Sequence, residues 1–252
     1  MTTIGMAAGR CEYCGEELPV KLVSFPGAKP MTVTLPCSCE MAQEAIRREE
    51  EEELRLERAQ KFRAAWARCG VPEEFRGVDA DFSMVDKLDA NRSIYITGKN
   101  GRGKTHKACQ YAKGYLIRHT TKEYGVMACR RSVRFVTSQQ IASQLKSSWS
   151  RWDMAEEDVF LRLVGVDLLV IDDLGKEVPS EWSAGNIFRI IDERWSNRKP
   201  VIITSQFSTV TLAERMCNTS PETLGALKSR LRGWCDGEVL EGPDRRVMKE
   251  TV

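Results

Sequence analysis

Eight consecutive residues, Gly98, Lys99, Asn100, Gly101, Arg102, Gly103, Lys104 and Thr105, constrain this chain more than any other stretch. They spell G-x-x-x-x-G-K-[ST], and each residue type has a physical task. Glycine lacks a Cβ, so the backbone can turn its N–H groups inward around an anion, and the helix that follows points its positive dipole end at the same place. Lys104 is placed to reach the β and γ phosphates of ATP, and the Thr105 hydroxyl to ligate Mg²⁺. Gly98, Asn100, Gly101, Arg102 and Gly103 complete the cradle, with His106 a helix residue near the nucleotide. The flanks agree with this reading. Residues 94–97 read as a short buried strand, while Ala108, Ala112, Tyr115 and Leu116 recur at helical spacing.

A chain of 252 residues has room for one α/β domain of roughly 170 to 200 residues and a smaller appendage. Its 38 basic and 36 acidic residues nearly cancel, so any nucleic-acid contact must come from a local patch. Residues 1–10 carry no apolar h-region, and no stretch approaches the ~20 apolar residues of a membrane span. A soluble, cytoplasmic protein without membrane contact is expected.

In a reducing compartment, nine cysteines point to metal where they cluster and to core filling where they scatter. Cys11 and Cys14 form C-x-x-C followed by Gly15, and Cys37 and Cys39 supply a second, shorter pair. Four thiolates make a closed tetrahedral Zn²⁺ site, which would serve as the core that ~40 residues cannot build from apolar side chains. Residues 41–66 then contain no Gly or Pro and pair charges at i, i+4, as in Glu44 with Arg48, Glu51 with Arg55 and Glu57 with Lys61. The expectation is one long helix, a solvated connector that turns apolar only at Phe62, Ala65 and Trp66. Cys69, Gly70, Val71 and Pro72 break the pattern. The expected organisation is a zinc-binding domain over 1–40, a helical linker over 41–69 and an ATPase domain over 70–252.

Beyond residue 70, strand and helix patterns alternate as in a doubly wound parallel sheet. Strands are expected at 133–137, 167–171, 201–204 and 237–241. Helices carry Ile141, Leu145 and Trp149, then Ile187, Phe188, Ile191 and Trp195. A shorter one should open with Thr211 and Glu214 in capping-box spacing, and another at Ser220 and Pro221. The strand at 167–171 runs into Asp172 and Asp173, at the sheet edge where ligands bind in open α/β folds. A carboxylate there holds Mg²⁺ and the next one orients the attacking water, so Asp172 is assigned to the metal and Asp173 to the water.

Further segments carry a family resemblance: G-K-T-H at 103–106, LLVIDDLGKE at 168–177, DERWSNRKPVIITSQFS at 192–208, SRL at 229–231 and GPDRR at 242–246. In that order they resemble the AAA+ ATPases of the DnaC/IstB type, the bacterial and phage helicase loaders and their transposition relatives. The likeness spans roughly residues 70 to 248, and the four-cysteine front end resembles the zinc-binding domain that some loaders carry. The resemblance implies a five-stranded parallel AAA+ sheet. It places Gln206 where the family usually has an Asn sensor for the attacking water, and Arg230 at an arginine finger that acts on a neighbouring subunit. Arg194 also falls on a family position, and Arg245 and Arg246 end the last motif.

Basic residues beside aromatics from Lys146 to Trp152, including Trp149 and Trp152, suit single-stranded DNA. The function implied is an ATP-dependent helicase loader that oligomerises on single-stranded DNA when ATP-bound and docks a replicative helicase. The alternatives are an ATPase serving a transposase and a nucleotide-independent adaptor. Intact Lys104, Thr105 and Asp172 stand against the adaptor.

Overall fold

The computed structural model describes residues 9–27, 29–123, 125–147, 156–176, 180–216 and 221–244. The chain forms two compact units, Met1–Ala59 and Gln60–Val252. The first contains a hairpin, β1 (Val20–Val23) and β2 (Met31–Thr34), in antiparallel register with Val20 opposite Thr34 and Val23 opposite Met31. Alternation in a strand normally sends one apolar set into a core. Here it does not, and Val20, Leu22, Met31 and Val33 are all exposed.

Helix α1 (Glu40–Arg68) runs through the Gly- and Pro-free stretch, with Glu40 in its first turn and Arg68 in its last, where each complements the helix dipole. Arg48 pairs with Glu44 at 2.5 Å as the spacing predicts, but Arg55 takes Glu52 at i, i+3 rather than Glu51. Division between the units falls inside this helix. Its last turns carry Phe62 and Trp66, which pack into the apolar core of the second unit, and the Trp66 indole donates to the Arg76 carbonyl at 3.1 Å. The stretch expected as a linker over 41–69 is therefore shared between the two units.

In chain order the second unit adds α2 (Val85–Asp89), β3 (Ser93–Thr97), α3 (Lys104–Arg118), β4 (Thr120–Glu123), β5 (Val126–Cys129), β6 (Val133–Thr137), α4 (Ser138–Ser147), α5 (Glu156–Gly165), β7 (Leu168–Asp172), α6 (Glu181–Ser196), β8 (Val201–Ser205), α7 (Thr209–Met216), α8 (Pro221–Trp234) and β9 (Cys235–Val239). Five strands form one parallel sheet in the order β6-β7-β8-β3-β9.

Because side chains alternate along a strand, neighbouring isoleucines serve opposite faces. Ile203 and Ile171 join the layer of α4, α5, α6 and α8 through Ile141, Phe160, Ile187 and Leu227. Ile202 and Val170 join the other layer with Ala108, Ala112 and Leu116 of α3 and with Trp66. Covering both faces is why β7 and β8 read as unbroken apolar runs. Each such side chain, fully buried, contributes about 1.5–3 kcal/mol.

Edge strand β6 is covered by the turn after α1, where the Phe135 N–H donates to the Cys69 carbonyl at 2.6 Å. Gly70 takes φ 82°, and a Cβ there would meet the Phe135 carbonyl at 2.9 Å. The break at 69–72 is thus a turn that lies against the sheet edge. Two further details differ from expectation. The hairpin β4–β5 has no counterpart in the sequence reading, and α7 is capped by Ser208, whose Oγ accepts from the Thr211 N–H at 3.2 Å, rather than by Thr211.

Candidate nucleotide site and cysteine cluster

The loop between β3 and α3 is built by three glycines with positive φ: Gly98 (157°), Gly101 (73°) and Gly103 (82°). A side chain is excluded as well as strained at Gly98, and at Gly101 it would displace a carboxylate. A Cβ on Gly98 would lie 2.5 Å from the Leu240 carbonyl, and one on Gly101 would lie 1.8 Å from the Asp244 carboxylate. Lys104 is buried at the helix start, and its ammonium folds back to donate to the Gly98 and Lys99 carbonyls at 2.9 and 3.1 Å. Those carbonyls hold the charge at the mouth of the loop, where a phosphate oxygen would be the stronger acceptor.

The loop, β7 and β8 converge at the C-terminal edge of the sheet. The Thr105 hydroxyl donates to the Asp172 carboxylate, 3.0 and 3.1 Å from its two oxygens, and the Thr204 hydroxyl donates to the same carboxylate at 2.5 Å. Burial raises the Asp172 pKa above the usual carboxylate range, and the charge of Asp173 adds to this, while the Thr204 and Thr105 hydroxyls pull it down. A buried carboxylate oxygen beside a loop hydroxyl is a hard-oxygen pair of the type Mg²⁺ takes, so the residues fit the metal.

Asp173 leaves the strand in the left-handed region at φ 53°, which Asp tolerates better than most residues. Its N–H donates to Thr204 Oγ1 at 2.9 Å, and its carboxylate pairs with Lys176 at 3.2 Å. Gln206 follows directly on β8 and is half-buried. The backbone beyond it is held by Tyr95 and Thr97, whose hydroxyls donate to the Phe207 carbonyl at 2.7 and 3.1 Å. His106 packs edge-on to Phe75 with ring centroids 6.3 Å apart.

Thr204 is the site residue that sequence reasoning missed. It joins Asp172 and Asp173 from the intervening strand, and its only signal was a hydroxyl residue inside an otherwise apolar run.

Two arginines stand apart from this edge. Arg194, fully buried on α6, donates to five carbonyls: Leu163 and Val164 in the last turn of α5, Val166 and Asp167 after it, and Pro200 before β8, at 2.8 to 3.2 Å. These carbonyls precede β7 and β8, so Arg194 works at the opposite end of the strands from the phosphate loop, closing the C-terminus of α5. Arg230 on α8 ion-pairs with Asp192 and lies over the rings of Trp195 and Phe188, at 4.9 and 5.5 Å. None of these partners belongs to the chain's own phosphate loop.

Lys146, exposed at the end of α4, sits over the Trp182 ring at 5.6 Å. Trp149, Arg151, Trp152, Arg245 and Arg246 lie outside the described residues.

In the first unit the sulfurs of Cys11, Cys14, Cys37 and Cys39 all lie within 4.8 Å of one another, with 3.7 Å between Cys11 and Cys39 and 3.4 Å between Cys14 and Cys37. Four ligands at about 2.3 Å around zinc require sulfur separations of about 3.8 Å. The cluster fits. Gly15 closes the turn just after the first pair at φ 75°, donating to the Cys11 carbonyl at 2.9 Å. The N–H groups of Cys14 and Tyr13 hold the Cys11 thiol down at about 7, whereas Cys14 and Cys39 are pushed up, against the N–H groups of Glu16 and Ala42, by burial and by the neighbouring thiols.

The family described as IstB-like ATP binding protein matches residues 40–220, from α1 through the phosphate loop, Asp172 and Gln206. The chain belongs to the IstB-like ATP-binding family. Among similar proteins, the Replicative helicase loader DnaC of Escherichia coli (strain K12) is 32% identical over 117 residues, 46% of this chain and 43% of that protein. This IstB-like chain therefore matches less than half the length of that relative. The Putative insertion sequence ATP-binding protein y4pL of Sinorhizobium fredii is 30% identical over 147 residues, 54% of each. A crystal structure of DnaI is similar with a TM-score of 0.52 at 19% identity, covering 70% of this chain and 95% of that one. The five-stranded parallel sheet of the second unit is thus the AAA+ fold.

Proposed function

We propose that this IstB-like chain is an ATPase that loads a replicative helicase, cycling between ATP-dependent assembly on single-stranded DNA and release. The observation that carries the ATPase reading is the hydrogen bond from Thr105 to Asp172. It joins the phosphate loop to the acid at the end of β7 across β8. In this reading Lys104 exchanges the Gly98 and Lys99 carbonyls for β and γ phosphate oxygens, and Thr105 and Asp172 hold Mg²⁺. When bound, Mg²⁺ neutralises charge developing on the phosphate oxygens. Asp173 exchanges Lys176 for the attacking water, Gln206 orients that water, and Arg230 reaches the nucleotide of a neighbouring copy. Gln carries one methylene more than Asn at the sensor position, so slow hydrolysis that times assembly is expected.

Zinc on the four cysteines supports the front end. The apolar residues exposed there, Val20, Leu22, Phe25 and Met31, are the surface offered to the helicase. The loader reading rests on the likeness to DnaC. The family description and the likeness to y4pL favour a second reading, in which the same ATPase serves a transposase.

Titration with a labelled ATP analogue tests the site: Lys104→Ala should keep the fold and lose most affinity, and unchanged binding would overturn the assignment. Pull-down with purified replicative helicase, with and without ATP, tests the partner. Capture of a cognate transposase instead of the helicase would select the second reading.

A further inference from the structure

Phe188, Asp192 and Trp195 fall at i, i+4 and i+7 on α6, so they share one face, and that face meets Arg230 of α8. The guanidinium is held from several sides. Its Nε ion-pairs with Asp192 Oδ1 without hydrogen-bond geometry, its Nη1 donates to the Ala226 carbonyl at 3.2 Å, and the ring centroids of Trp195 and Phe188 lie 4.9 and 5.5 Å from its central carbon. Nη2 has no partner among the described residues. Only 22% of the Arg230 side chain is exposed, whereas Trp195 beside it is 45% exposed, a large open aromatic surface for an α/β core.

An arginine that must act on a nucleotide held by another copy loses much rotamer entropy when it engages, unless its own subunit has already ordered it. Confining the guanidinium between an ion pair, a carbonyl and two rings, while Nη2 keeps no partner among the described residues, supplies that order. We propose that Asp192 and Trp195 are positioning residues for Arg230, holding its guanidinium so that Nη2 is presented to a γ phosphate oxygen at the interface with a second copy of this chain. The inference rests on the reading of Arg230 as a finger in trans. The competing structural role is an α6–α8 tie that does not affect chemistry.

The test uses the full chain with ATP and single-stranded DNA, measuring turnover, ATP-dependent assembly, affinity for a non-hydrolysable analogue and the thermal midpoint. Asp192→Asn keeps the shape and removes the charge. Its turnover at saturating ATP should fall about ten- to a hundredfold, with affinity for the analogue unchanged. Asp192→Glu should recover part of the loss. Trp195→Leu, at a half-exposed position that tolerates change, should lower turnover several-fold and carries the test if Asp192→Asn does not fold. In an Arg230→Ala background, adding Asp192→Asn should cost nothing more, since the group it positions is gone.

Wild-type turnover in folded Asp192→Asn and Trp195→Leu, or a full additional loss in the Arg230→Ala background, overturns this inference while leaving the finger standing. Wild-type turnover and assembly in Arg230→Ala overturns the finger and this inference together, as does a wild-type chain that neither assembles nor hydrolyses.

Discussion

In the first unit the buried hydrophobic side chains are Cys11, Cys37 and Ala42, with Leu18 and Cys39 partly covered, whereas in the second a parallel sheet buries isoleucine, valine and leucine on both faces. The same hydrophobic alternation thus has two outcomes. In β8 it sends Ile202 and Ile203 into opposite layers, and in β1 it leaves Val20 and Leu22 in solvent. The difference is size: among its described residues the first unit has no second layer to cover a hairpin, and four sulfurs converge where a core would be. One unit gathers its cysteine sulfurs, and the other its apolar area.

Removing the zinc proposed for the four cysteines should break this comparison most visibly. Chelation, or Cys37→Ser, is expected to unfold the front unit outright while ATP binding and the cooperative unfolding of the second unit persist. Metal content, limited proteolysis and nucleotide titration on one sample check this, and collapse of both units together would mean that the second also depends on the cluster.

Next in size is Arg194→Met. Five carbonyls lose their donor, and about 3–5 kcal/mol of stability should go with them, read from urea unfolding of the second unit. A smaller loss, about 0.5–1.5 kcal/mol, is expected for Ile203→Val, which removes one methyl from a filled layer. At the bottom of the scale is Arg48→Ala, where the pair with Glu44 is largely solvated, with side chains 76% and 50% exposed. Its effect should stay within about 0.5 kcal/mol. A larger change there would mean that the helix surface is covered by something in solution.

Much of the second unit was legible because its signals are short-range. Val133–Thr137 reads as a strand from five consecutive residues, and the phosphate loop from eight. Expected helical positions such as Ala108, Ala112, Ile141 and Ile187 are buried in the folded chain. Exact ends were less secure. The third strand begins at Leu168 rather than Asp167 and includes Asp172, while the last is Cys235–Val239 rather than 237–241. Hairpin β4–β5 escaped notice because Thr-Thr-Lys-Glu and Val-Met-Ala-Cys carry little periodic contrast. Arg194 matched a motif position without revealing its task, since a buried arginine satisfied by carbonyls looks in sequence like any helix-surface arginine.

What the sequence by itself determined is chemistry set by neighbours along the chain: an anion loop of three glycines with a lysine and a threonine, an apolar strand ending in two acids, and two cysteine pairs whose turns aim sulfur inward. Tertiary structure alone decided which distant groups complete them. Thr204 reaches Asp172 from 32 residues away, Thr105 reaches it from 67, and Arg194 meets Leu163 across 31. Such partnerships depend on strand order and on which helix face turns to which neighbour, and these are settled by burying both faces of one sheet at once.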